Sequence, residues 1–299
     1  MRQIICPVCK TSPESNLQAF SICICKGCGN RWTFIPEEID SNSLYEDEVY
    51  AVVDNRKSIF ERIIFREAKK VLEKADINSS SKTKRLLDFG SGKGLFLVVA
   101  KEVGWQGLGI ETAKARADFA REKYEVEVRQ EFYSEGKIKE GNFDLITLNH
   151  VFEHLPDPLV LLKELLDSNL YKDGLVYIEV PRADSWQAKI GGKNWMHWDI
   201  PKHLTHWTEE GLEKELNQIG FYKVGQRFFS IHLGVLGMLQ ALMSQMGFRG
   251  NLILNLKRNK TPGLLLGIAI LLPFAWILEA ISVPFRKSGI MGIYLKSNG

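Results

Sequence analysis

The fold turns on one stretch, Arg85-Leu86-Leu87-Asp88-Phe89-Gly90-Ser91-Gly92-Lys93-Gly94, and on its continuation to Glu111. Arg85 to Phe89 is a short apolar run, bounded like a buried strand. It breaks into glycines at 90, 92 and 94, which allow a tight turn and a close backbone approach to a ligand. Leu95 to Val103 follows as a helix whose first turn offers free N–H groups. A second strand, Gln106 to Ile110, ends in Glu111, where a carboxylate can take both hydroxyls of a ribose. The glycine pattern alone is weak, because any tight strand-to-helix turn produces it. The acid after the second strand sharpens it toward a nucleotide-like cofactor.

Outward from this centre, apolar strand-like runs alternate with helical stretches. Strands are expected at 85–89, 106–111, 126–129, 143–149, 174–180, 221–229 and 291–297, and helices at 94–103, 113–124, 158–168 and 208–219. Such alternation predicts an α/β fold, a doubly wound, seven-stranded, mostly parallel sheet covered by helices on both faces. Ser58 to Ala75 carries a helical face of Ile59, Ile63, Val71 and Leu72. Along the chain, 1–35 reads as a cysteine-rich head, 36–82 as connector and helix, and 83–230 as the core. Residues 231–287 read as an apolar and basic helical insertion, and 288–299 as the last core strand.

In that order, the motifs resemble those of class I S-adenosylmethionine (SAM)-dependent methyltransferases. Leu86-Leu87-Asp88-Phe89-Gly90-Ser91-Gly92-Lys93-Gly94 looks like their first motif and Gly107-Leu108-Gly109-Ile110-Glu111 like the second. Phe143 to Pro158 looks like the fourth strand and its exit, and Pro201 to Phe221 like the segment before the sixth strand. The resemblance covers about residues 45–230 and the last strand. It implies SAM as cofactor, with Gly90 and Gly92 beneath its methionine part and Asp88 engaging that part. It further implies Glu111, with Thr112 beside it, on the ribose, and Glu131 and Phe132 flanking the adenine. Asn149 and His150 would line the methyl-transfer channel. Ser91 stands where many members carry cysteine.

Methyl transfer needs an in-line nucleophile and, for a hydroxyl or carbon acid, a proton acceptor. A histidine suits that task. His203 leads as the candidate base, followed by His150 and His154; Glu153 and His154 also read as groups that stitch the loop after the fourth strand. His203 lies in an aromatic cluster at 186–207, which holds four of the seven tryptophans and three of the six histidines. That connection reads as an acceptor-binding lid, or as aromatic packing of the lid onto the core.

All five cysteines, at 6, 9, 23, 25 and 28, fall in the head. Cys6, Cys9, Cys25 and Cys28 form two CxxC pairs, a tetrahedral thiolate set for Zn²⁺ in a zinc-ribbon-like fold; a reduced, metal-free turn is the alternative. Cys23 is surplus. The N-terminus lacks a signal-peptide core, so a cytoplasmic setting is expected. No cysteine is left in the core for cytosine C5 chemistry, and the fourth strand lacks the Asn/Asp-Pro-Pro-aromatic exit of base-amine methyltransferases.

The formal net charge is +3. Beyond Glu215 there are nine Lys/Arg and only Glu279 as an acid, so this part is +8 and the rest −5. Here lies Gly263 to Val283, nearly continuously apolar and long enough to span a bilayer. Placed between two neighbouring strands, the insertion must start and end on one side. That favours peripheral membrane contact at the inner face of a membrane, with a buried subdomain or a dimer interface as alternatives. The expected activity is methyl transfer from SAM to a small-molecule, sugar, glycan or lipid-linked acceptor. RNA methylation through the ribbon and basic part, or a non-catalytic SAM-binding scaffold, stand as alternatives.

Overall fold

A computed structural model of the chain describes residues 5–11, 21–35, 59–78, 84–131, 141–258 and 260–298. The connector at 36–57, Phe132 and the loop residues 79–82 lie outside the described residues. Two short strands in the head come first, β1 (Ile22–Ile24) and β2 (Arg31–Thr33). Helix α1 (Ile59–Asn78) leads into β3 (Arg85–Phe89), α2 (Leu95–Glu102), β4 (Gln106–Glu111), α3 (Lys114–Tyr124), β5 (Glu127–Gln130) and β6 (Phe143–Asn149). Then follow α4 (Pro158–Asn169), β7 (Leu170–Pro181), α5 (Trp186–Gly191), β8 (Thr205–His206), α6 (Glu209–Gln218) and β9 (Phe221–Arg227). The insertion holds α7 (Leu236–Gln245), α8 (Leu252–Arg258) and α9 (Pro262–Ser282), and β10 (Ile290–Ser297) closes the chain.

The main sheet has seven strands in the order β5-β4-β3-β6-β7-β10-β9. The first five run parallel; β10 is antiparallel to both β7 and β9. Strand order reverses between β3 and β6, and the crevice beyond their C-terminal ends is where doubly wound sheets bind ligands. Alternation along the strands sorts the core: Leu87 and Phe89 pack on one face with Leu162 and Leu165 of α4 and Leu212 and Leu216 of α6. Leu86, Leu145 and Tyr177 pack on the other with Val71 and Leu72 of α1, Leu97 of α2 and Ala117 and Ala120 of α3. This is the doubly wound sheet expected from the sequence.

Element ends differ where tertiary partners act. Strand β7 begins at Leu170, not 174, because Leu170 pairs with Phe143 directly after α4. Strand β9 stops at Arg227, not 229, where its pairing with Gly292 of β10 ends. The head is joined to the core: β2 is flanked by β1 and by β8, with Arg31 opposite His206 and Trp32 opposite Thr205.

Candidate active site

The loop after β3 is shaped by its glycines. Gly90, Gly92 and Gly94 have φ of +77°, +56° and +79°, a region that favours glycine. A Cβ on Gly90 would lie 2.3 Å from Val151 Cγ2, whereas one on Gly92 would meet nothing within 4 Å, so Gly92 faces open space. Ser91 turns inward onto β4. Its Oγ would stand 2.5 Å from a Cβ at Gly109, which explains the glycine in that strand.

Asp88 at the end of β3 is buried and accepts hydrogen bonds from Thr147 Oγ1 (2.7 Å) and Asn149 Nδ2 (3.3 Å) on neighbouring β6. Burial pushes its carboxyl up to about 6 against those two donors, and nearby Glu111 adds to the rise. Glu111 is also buried. Its Oε1 accepts from the Ala113 N–H (2.8 Å) and Thr112 Oγ1 (3.4 Å), and burial raises its pKa despite these bonds and one from the Gly92 backbone. Glu131 is exposed, with its N–H donating to Glu111 O (3.2 Å).

A cleft opens over this loop. Asp88, Gly90, Ser91, Gly92, Asn149 and His150 all line it. Lys93, Leu95 and Phe96 continue the loop side, and the opposite wall was not foreseen from the sequence: Ile64, Glu67, Ala68 and Val71 of α1, Glu179 of β7, Arg227 of β9 and His232. These polar groups form one chain of contacts. Glu67 pairs with His232 and lies 3.0 Å from Arg227; Arg227 pairs with Glu179, which also accepts from Tyr177 and lies 3.2 Å from His150 Nε2. Burial would push Glu179 upward, yet Arg227 and His150 hold it well below the usual carboxylate range. No local pattern marks these residues, because Glu67 and Arg227 meet across 160 positions of chain.

Of the histidines proposed as bases, only His150 lines the cleft. It adopts φ +54° as the chain leaves β6, with Nδ1 3.6 Å from Glu153 Oε1. His154 and His203 stand behind it, their rings 4.6 Å apart and nearly perpendicular, with His203 Nε2 4.0 Å from Glu153 Oε1. The three histidines therefore gather around one carboxylate.

Of the four tryptophans of 186–207, Trp195 and Trp207 are buried, and Trp186 and Trp198 are half-buried. Trp207 is fully buried and stacks on Phe152 at 4.9 Å. Trp195 is buried, donates from Nε1 to Gln187 Oε1 (3.0 Å) and packs edge-on against Trp198. Their faces meet protein because this segment must cover both the sheet edge and the head.

In the head, Cys6, Cys9, Cys25 and Cys28 bring their sulfurs within 4.8 Å of one another. Cys6 Sγ lies 3.8 Å from Cys28 Sγ and Cys9 Sγ 3.4 Å from Cys25 Sγ. A tetrahedron of Zn–S bonds near 2.3 Å has edges of about 3.8 Å, so the donor set and its spacing fit zinc. Cys23 stands apart, its sulfur 3.9 Å from Ser21 O.

A family model described as a methyltransferase domain matches residues 60–226, more than half of the chain. With the sheet order and the glycine loop at its switch point, the chain belongs to the class I SAM-dependent methyltransferases. It is 30% identical over 122 residues to ribosomal protein L11 methyltransferase of Thermosipho melanesiensis (strain DSM 12029 / CIP 104789 / BI429), covering 35% of this chain and 47% of that one. The chain thus spans about half the length of this relative. A structure of the complex between the Haloferax volcanii Trm112 methyltransferase activator and a methyltransferase is similar in fold, with TM-score 0.53 and 12% identity over 87% of this chain and 98% of that one. A structure described as a sarcosine dimethylglycine methyltransferase from Galdieria sulphuraria matches with TM-score 0.50 and 15% identity over 79% of this chain and 86% of that one. At these identities the likeness is one of fold.

Proposed function

We propose that this methyltransferase acts on a lipid-linked acceptor of sugar or glycan type at the cytoplasmic face of a membrane, and that Cys6, Cys9, Cys25 and Cys28 hold a structural Zn²⁺. One observation carries the membrane reading. Helix α9 is apolar all round, with a mean hydropathy of 2.4 in its most apolar window, yet only 11% of that window is buried. A helix of that composition belongs in a protein core or in lipid. Its inner side, Leu264, Ile268, Leu271, Ala275 and Leu278, packs with Leu239 and Met243 of α7. Its outer side leaves Leu266, Ile270, Phe274, Trp276 and Ile277 about half exposed. Exposed Arg249 and Lys260 lie nearby in sequence and suit anionic lipid phosphates. The side chains of Lys257 and Arg258 lie outside the described residues.

When bound, SAM supplies a sulfonium-activated methyl group. Gly90 and Gly92 would lie under its methionine part, Asp88 would face its ammonium, and Glu111 would accept from the ribose hydroxyls. Asn149 and His150 border the channel. The charged wall of Glu67, Glu179 and Arg227 gives a polar acceptor head groups of both signs to meet. The head, clamped onto β8, would support the lid segment from behind.

Flotation with vesicles of phosphatidylcholine, with and without phosphatidylglycerol, tests the membrane reading. The wild-type chain should float, more with the anionic lipid, and a Leu266→Glu/Trp276→Glu variant should lose at least tenfold of that binding, a cost of about 1.4 kcal/mol. If neither vesicle carries the protein, the lipid-linked acceptor is withdrawn, while binding of S-adenosylhomocysteine (SAH) remains a separate test of the cofactor site.

A further inference from the structure

Behind His150 lies a buried group that SAM binding leaves unexplained. Glu153, on the single 3-10 turn after β6, is 1% exposed, and among the described residues neither of its carboxylate oxygens has a hydrogen-bond partner. A buried carboxylate without donors is strongly unfavourable. The groups facing it are imidazoles. His203 Nε2 is 4.0 Å away and His150 Nδ1 3.6 Å, both too long for a hydrogen bond.

Two of these rings have their tautomer set by the backbone. His154 Nδ1 is 3.0 Å from Lys202 O and His203 Nδ1 is 2.8 Å from His197 O. A carbonyl only accepts, so each Nδ1 carries the hydrogen, and in the neutral ring Nε2 bears the lone pair. The His203 lone pair turned toward a carboxylate, with the His154 ring packed beside it, makes sense around a cation. Metal-bound histidines are held in this way, with the other ring nitrogen donating to a carbonyl. One ligand atom from each of Glu153, His154 and His203 lies within 4.8 Å of the others. The segment carrying His203 is braced by the head: Thr33 Oγ1 donates to His203 O (2.8 Å) and the Thr33 N–H to Leu204 O (2.9 Å).

We propose that Glu153, His154 and His203 form a second metal site, distinct from the cysteine cluster, that takes a divalent first-row transition-metal ion. Two imidazoles and a carboxylate suit such ions, and three protein ligands leave positions open for water or a ligand oxygen. Because His150 touches Glu153 and also lines the cleft, the ion would sit immediately behind the cleft wall. The site does not depend on the lipid-linked acceptor.

The test is metal content of the full chain after loading with Zn²⁺ and removal of excess. Wild type should carry one ion per chain more than Glu153→Gln and than His203→Asn, with SAH affinity in both variants within threefold of wild type. Equal metal content in wild type and variants that still bind SAH overturns the site. Zinc-edge X-ray absorption of the wild type gives a reading that no variant's folding can disturb. A nitrogen/oxygen shell at about 2.0–2.1 Å beside the sulfur shell is expected. Sulfur scattering alone sinks the proposal, whatever the vesicle experiments show.

Discussion

Strand β10 and helix α9 are neighbours in sequence and both largely apolar, yet they end up in opposite surroundings. Ile290, Met291, Ile293, Tyr294 and Leu295 of β10 are at most 1% exposed, because the strand lies between β7 and β9. Leu266, Phe274 and Trp276 of α9 are 63%, 58% and 50% exposed. Helix α9 is nonetheless fixed to the fold from within: Glu279, fully buried, accepts from the Gly289 N–H (2.8 Å) and Gln187 Nε2 (3.3 Å), beside the start of β10. Apolar composition alone therefore does not assign a segment to the core. What distinguishes the two is that β10 has a backbone-pairing partner on each edge, whereas among the described residues α9 has a packing partner on one side only.

The contrast can be broken or sharpened by mutation. Truncating β10 by Ile293→Ala should cost about 2–5 kcal/mol in urea unfolding, the usual price of a core cavity. Glu279→Gln tests the anchor of α9. Burial raises Glu279 to about 7, with the Gly289 and Gln187 bonds opposing. The folded chain then binds this proton more tightly than the unfolded chain, so stability falls as pH rises from about 4.5 to 7 and stays lowered above. Removing the titration should leave stability near wild type at pH 4.5 and raise it by up to about 3 kcal/mol at pH 8, read from unfolding midpoints at the two pH values. A variant that is no more stable at pH 8 would show that the anchor carries no buried charge.

Smaller effects belong to the cofactor side and to the outer face. Calorimetric titration with SAH should show micromolar binding that weakens at least tenfold, about 1.4 kcal/mol, in Glu111→Ala; equal binding by wild type and variant would remove Glu111 from the ribose. Since burial lifts Asp88 to about 6, its carboxylate forms as pH passes that value, and affinity for the cationic methionine end should rise between pH 5 and 7. Asp88→Asn should flatten that rise. The smallest expected change is in the stability of Leu266→Ala, 63% exposed, within about 0.5 kcal/mol in the absence of lipid, as for an exposed position. A large loss there would mean that the outer face of α9 is packed in solution.

The glycine loop that lines the cleft was legible because its logic is local. A strand, a glycine turn and a helix start within one short run of sequence, and Glu111 follows one strand later. The CxxC pairs announce their sulfurs in the same manner. The cleft wall was not legible. Glu67, Glu179, Arg227 and His232 come from α1, β7, β9 and the turn after it, and each is an ordinary charged residue in its own stretch. The tryptophans of 186–207 read as a stacking lid or as packing onto the core; Trp195 and Trp207 are turned inward by the head and the sheet edge, partners that no spacing reveals.

Local chemistry and periodicity were enough for the alternation of strands and helices, the glycine loop and the two CxxC pairs, since each depends on residues a few positions apart. Which charges meet across the cleft, which three groups converge behind His150, and which apolar face is left bare depend on contacts between distant segments. Those contacts follow from the packing of whole elements around the sheet, where a side chain's surroundings come from strands and helices far away in the chain.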